Sequence, residues 1–130
     1  MLGKLIELVR GAADRGGGGE APDGDLAPAE ARQRLSAGSV LVDVRESDEW
    51  AAGHAAGARH IPLGQIRARS HELPRDREII TVCRSGNRSA RAAGMLRGAG
   101  FSQVRNLAGG MTAWAKEGLS IEREPSAGGG

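Results

Sequence analysis

This 130-residue chain has one cysteine, one phenylalanine, two tryptophans and no tyrosine. The single cysteine, Cys83, excludes a disulfide within the chain and cannot complete a thiolate metal cluster. It leaves no second thiol in the chain to resolve sulfur chemistry begun at Cys83. It also fits a reducing compartment, so the expected location is cytoplasmic. With so few aromatic rings (Trp50, Phe101, Trp114), stacking platforms for nucleic acid are not expected. The 18 basic and 16 acidic residues leave a net charge of +2, which is no footprint for a phosphate backbone, so no nucleic-acid partner is expected. Long apolar runs are missing too. MLGKLIELVRG is interrupted by Lys4, Glu7 and Arg10, which excludes a bilayer span and a signal-peptide core. No stable membrane insertion is expected.

What is present is ordinary for a globular domain: 39% apolar and 26% charged residues. Such a core must be built from Val, Ile, Leu and Ala. Residues 1–10 place Leu2, Leu5, Ile6 and Val9 on one helical face, a short amphipathic helix that docks on the domain or meets a partner. Residues 11–25, GAADRGGGGEAPDGD, read as a flexible linker, and 125–130 as a tail. The folded domain is expected over 26–124.

Within it, helical and strand patterns alternate. LAPAEARQRLSAG is a helix punctuated by Pro28 and Gly38. VLVDV (40–44) is a buried strand, and ESDEWAAG a helix start with Ser47 as N-cap and Gly53 as stop. RHIPL gives a brief strand and LGQIRARSHEL a helix. EIITVC (78–83) is the clearest strand and NRSARAAGMLRGAG the clearest helix. VRNL is a short strand, and Gly109 and Gly110 set a turn before a last helix, GGMTAWAKEGL. This alternation predicts an α/β fold with a central, mostly parallel sheet and helices on both faces. Sites in such sheets form beyond the carboxyl ends of the strands.

Cys83 stands at such a place, in VCRSGNRSARAAG. The amides from Arg84 to Arg88 can curl into a ring of N–H donors that binds anions, and the following helix adds its partial positive end. Arg84 and Arg88 add full charges, whereas Arg91 reads as a helix-face charge. Together these predict a thiol pKa of roughly 5–7 and a thiolate at neutral pH. Arg88→Ala is then expected to raise it.

CRSGNRS, with VDVRESDEWAAGH upstream and NLAGGMTAW downstream, resembles a single-domain rhodanese, a thiosulfate sulfurtransferase. The resemblance runs from Leu26 to Leu119. It implies a rhodanese-like α/β domain in which Cys83 is the nucleophile and carries a persulfide. Arg84, Ser85, Gly86, Asn87 and Arg88 would form the substrate-binding loop, with Asp43, Arg45 and Ser89 in support. The implied partners are a thiosulfate-like donor and a thiol, cyanide or protein acceptor, with no cofactor. The chain departs from the family at Ala55, Ala56 and His60, which predicts looser packing there. Phosphatase-type and arsenate-reductase-type relatives use Cys-x5-Arg, whereas Cys83 to Arg88 is Cys-x4-Arg; the tighter ring suits one sulfur atom better than a phosphate. Two alternatives stand beside this: an idle partner-binding module, against which an intact Cys83 loop argues, and a persulfide carrier whose substrate is a protein, with Leu2 to Val9 as a docking helix.

Other residues invite simpler readings. His54, His60 and His71 match no zinc spacing. His54 is expected to bond the backbone and His71 to be exposed. Asp43 is expected to orient a loop arginine or cap a backbone group, and Trp50 and Trp114 to be core residues.

Overall fold

The computed structural model describes residues 25–123. The expected helix at 1–10, the linker up to residue 24 and the 125–130 tail lie outside them. Asp25, read above as the end of the linker, instead begins a strand. The elements in chain order are β1 (Asp25–Leu26), α1 (Pro28–Ser36), β2 (Val40–Asp43), α2 (Ser47–Ala52), β3 (His54–Ala55) and β4 (Arg59–His60). They continue with α3 (Ile66–Arg69), β5 (Ile79–Val82), α4 (Asn87–Gly98), β6 (Val104–Leu107), α5 (Gly110–Lys116) and β7 (Ile121–Glu122).

Five strands form one sheet in the order β1-β6-β5-β2-β4, and every pairing is parallel. Strands β2 and β5 are buried along their whole length, as their continuous apolar runs require. Their side chains divide the core. Val40, Val42, Ile79 and Val104 pack with Ala92, Ala93 and Leu96 of α4 on one face. Leu41, Ile80, Val82 and Leu107 pack with Ala31, Met111 and Trp114 on the other. The many alanines let helix backbones approach the sheet closely. All described helices are too short or too polar to cross a membrane.

The structure differs from the sequence reading at several points. LGQIRARSHEL is not one helix: a 3-10 turn at Leu63–Gln65, the four-residue α3 and a second 3-10 turn at Ser70–Glu72 share it. The N-cap of α2 is Glu46, not Ser47. Glu46 and Glu49 form a reciprocal capping box in which each carboxylate accepts the other's backbone N–H. Strands β1, β3 and β7 have no sequence signal because each is two residues long. β3 and β7 pair antiparallel outside the main sheet.

Trp50 is half-buried rather than a core residue. Its ring stacks on two histidines, with centroids 3.5 Å from His54 and 4.8 Å from His60, and is nearly parallel to both. His54 Nδ1 bonds the Trp50 carbonyl at 2.9 Å, and His60 Nε2 bonds the Arg45 carbonyl at 2.8 Å. Ala55 is fully buried and Ala56 donates its N–H to the Ser120 carbonyl. The segment expected to be loose is thus held by a ring stack and a small sheet. Trp114 is buried, and His71 is exposed.

Candidate active site

Strand β5 ends at Val82, and Cys83 follows at the carboxyl edge of the sheet. The loop from Cys83 to Arg88 turns directly into α4, whose N-cap is Gly86 with φ 118. Only glycine adopts that backbone without strain, so Gly86 permits the sharp reversal. The reversal brings the Gly86 N–H onto Cys83 Sγ at 3.0 Å. The Ser89 hydroxyl, one turn into the contact, lies 3.3 Å from Sγ and equally 3.3 Å from the Gly86 carbonyl. One hydroxyl hydrogen serves one acceptor at a time, and an ionised sulfur is the stronger claimant. Thr81 Oγ1, buried in the sheet, donates to the Ser89 carbonyl at 2.9 Å and fixes that first turn of α4.

The first two carbonyls of the loop point the other way, into the start of α5. Met111 N–H donates to the Cys83 carbonyl at 2.8 Å and Thr112 N–H to the Arg84 carbonyl at 3.1 Å. These are amides that a helix start leaves without partners. With its carbonyls drawn outward, the loop turns its own amides toward the sulfur. Gly110 makes this approach possible: a Cβ there would collide with the Cys83 and Arg84 carbonyls. Asn106 Nδ2 bridges the Gly86 carbonyl and Asp25 Oδ1, tying the loop to the edge strand.

Cys83 is 1% exposed. Burial pushes its thiol up, but the Ser89 hydroxyl, then the amides of Ser89, Gly86 and Ser85, more than offset this and hold the thiol below its ordinary value. The direction and the part played by the loop amides agree with the sequence reading; the lead of the Ser89 hydroxyl does not. Neutral hydrogen-bond donors come first, not the arginine charges.

The arginines face Glu49 instead. Arg88 Nη1 and Nη2 grip the two Glu49 oxygens at 2.8 and 3.0 Å. Arg84 Nε lies 3.7 Å from Glu49 Oε2, with its side chain 70% exposed. The hydrogen bond from Arg88, against the cost of burial, holds the Glu49 carboxyl down at about 2. Glu49 was not singled out from the sequence; the Glu46-x-x-Glu49 capping-box spacing marked its helix position but not its partner. Ser85 and Asn87 are exposed at the mouth of the loop.

Asp43 and Arg45 form a separate unit. The Asp43 carboxylate accepts from Arg45 N, Nε and Nη2 at 2.8–3.1 Å, and Arg45 Nη2 also reaches the Gly53 carbonyl. Asp43 therefore both holds an arginine and caps a backbone N–H. Its arginine is Arg45, not one from the Cys83 loop.

Comparison with known proteins agrees with this architecture. A family model described as a rhodanese-like domain matches residues 27–117. A sulfurtransferase from Allochromatium vinosum is 43% identical over 82 residues, covering 63% of this chain and 77% of that protein. The thiosulfate sulfurtransferase GlpE of Ectopseudomonas mendocina is 36% identical over 89 residues, covering 68% and 82%. Among solved structures, a rhodanese-related protein from Thermoplasma volcanium superposes with a TM-score of 0.71 at 30% identity, covering 77% of this chain and 98% of that one. A domain match running from the first helix to the last, on this sheet and this strand-end loop, makes the chain a member of the rhodanese-like domain family.

Proposed function

We propose that the protein is a sulfurtransferase that carries sulfane sulfur as a persulfide on Cys83, with thiosulfate or a related compound as donor. The observation that carries this is the pairing of Cys83 Sγ with the Gly86 amide of its six-residue loop and with the Ser89 hydroxyl in the first turn of α4. In the first half-reaction the Cys83 thiolate attacks the outer sulfur of thiosulfate. The new S–S bond forms as the donor's S–S bond breaks, and sulfite leaves with that electron pair. Charge is conserved: a thiolate and a dianion become a persulfide anion and sulfite. In the second half-reaction a thiol, cyanide or an acceptor protein attacks the outer persulfide sulfur and restores the thiolate.

The buried position of Sγ supports a small transferred atom over a bulky ester. Inward amides from Ser85 to Ser89 would stabilise the terminal persulfide sulfur as it gains charge, as an oxyanion hole does. Arg84, the more exposed of the two loop arginines, would meet the donor's anionic oxygens first. Arg88 would act there only in company with Glu49. A protein relying on a free thiolate suits the cytoplasm, the location proposed for it.

Mixing the protein with thiosulfate and cyanide tests the reading. The expected result is thiocyanate production, and a mass gain of about 32 Da on Cys83 when cyanide is left out. Cys83→Ser should abolish both. Equal thiocyanate production by wild type and Cys83→Ser would refute the proposal. A persulfide that forms but passes only to a protein acceptor would assign a carrier role instead.

A further inference from the structure

We propose that Glu49 sets the charge preference for the sulfur donor. By cancelling one of the two loop arginines, it favours singly charged donors, such as organic persulfides and thiosulfonates, over doubly charged thiosulfate. This rests on the sulfur-transfer reading above.

The charges at the loop are few and their partners are known. Arg45 is committed to Asp43, with both side chains buried. Arg84 and Arg88 remain, and Glu49 lies within 4 Å of each. Glu46 adds a further negative field on Arg88. Counting only the groups in ion-pair contact, two cations and one carboxylate give a cradle of +1, and a Cys83 thiolate would bring the site to zero. A singly charged donor leaves one excess negative charge there; thiosulfate leaves two.

Glu49 is not free to swing away when a donor arrives. Its side chain is 18% exposed, both oxygens are gripped by Arg88, and Oε1 also accepts the Glu46 N–H at 3.0 Å. A donor oxygen competing for Arg88 must displace a bidentate partner with a preset geometry. The remaining Arg88 N–H groups and the exposed Arg84 suffice for a single anionic charge.

Methanethiosulfonate and thiosulfate separate the charge from the chemistry. Both offer a terminal sulfane sulfur to the thiolate; one releases methanesulfinate and the other sulfite, each departing with the electron pair of the broken S–S bond. The readout is the ratio of kcat/KM for methanethiosulfonate to that for thiosulfate, in wild type and in Glu49→Gln, which keeps shape and removes charge. The intrinsic reactivities of the donors cancel between the two proteins. The ratio is expected to fall roughly fivefold or more in Glu49→Gln, the size of one charge acting across a partly solvated site. An unchanged ratio, with both donors affected alike, would reduce Glu49 to a structural anchor and overturn the inference while leaving sulfur transfer intact. Failure of both donors to load wild-type Cys83 would overturn both. Should Glu49→Gln fail to fold, the wild type decides. Thiosulfate kcat/KM should be nearly flat with added salt, and a steep decline would reveal an unmasked second cation and contradict the proposal.

Discussion

Two arginine–carboxylate forks stand at the carboxyl end of the same sheet, and they do different work. Asp43 and Arg45 are two residues apart on one strand end, with side chains 0% and 8% exposed, and they also satisfy a backbone N–H and the Gly53 carbonyl. Glu49 and Arg88 come from different helices 39 residues apart, are 18% and 34% exposed, and lie beside the exposed Arg84 and the Cys83 loop. The first fork is closed on itself and serves the scaffold. The second is open to the mouth of the loop, where its charge can be felt by a substrate. The same chemical pair is thus closed or open to solvent according to what surrounds it.

The comparison breaks most visibly at the buried fork. Asp43→Ala leaves the Arg45 guanidinium buried without its carboxylate and should cost about 3–5 kcal/mol, read as a loss of stability in urea. A loss below about 1 kcal/mol would show that the two forks are not different in kind. Gly110→Ala attacks the loop's support rather than either fork. The new methyl meets backbone carbonyls that cannot rotate away, and Gly110 itself has φ 58. We expect about 2 kcal/mol of destabilisation together with a marked loss of sulfur transfer; unchanged persulfide loading would contradict the role given to α5.

The smallest effect is at the open fork. Glu49 is a carboxyl whose pKa in the fold is depressed to about 2 from 4.5. Its contribution to stability is therefore present above pH 4.5 and lost as pH falls toward 2. Arg88→Ala should weaken that acid-limb dependence, leaving the part due to the Glu46 N–H, at a cost of about 1 kcal/mol near neutrality once solvent screening is allowed for. Acid unfolding curves of the two proteins would measure this, and identical curves would show that the ion pair is not formed in solution.

The long parallel strands and the helix after Cys83 were legible because their signals are local: β-branched runs of four residues and a glycine-containing turn into an alanine-rich helix. The two-residue strands were not, since Asp25–Leu26, His54–Ala55 and Ile121–Glu122 exist only through partners distant in the chain. At the site, Cys83 and its loop stood out as a dense local pattern. Glu49, Asn106 and the α5 amides did not, because each acts across a gap that only the folded sheet closes. Trp50 illustrates the same limit. A tryptophan suggests a core residue, but stacking on two histidines gives it a half-buried place instead.

The central claim is that neutral donors, ahead of the neighbouring guanidinium groups, hold the Cys83 thiol below its ordinary value. The pH–rate profile for alkylation of Cys83 by iodoacetamide tests it directly in wild type, Ser89→Ala and Arg88→Ala. A thiol whose pKa is lowered reacts at lower pH, so removing the responsible group must move the profile upward. The account predicts a larger upward move for Ser89→Ala than for Arg88→Ala. A profile unmoved by Ser89→Ala and raised by Arg88→Ala would contradict it.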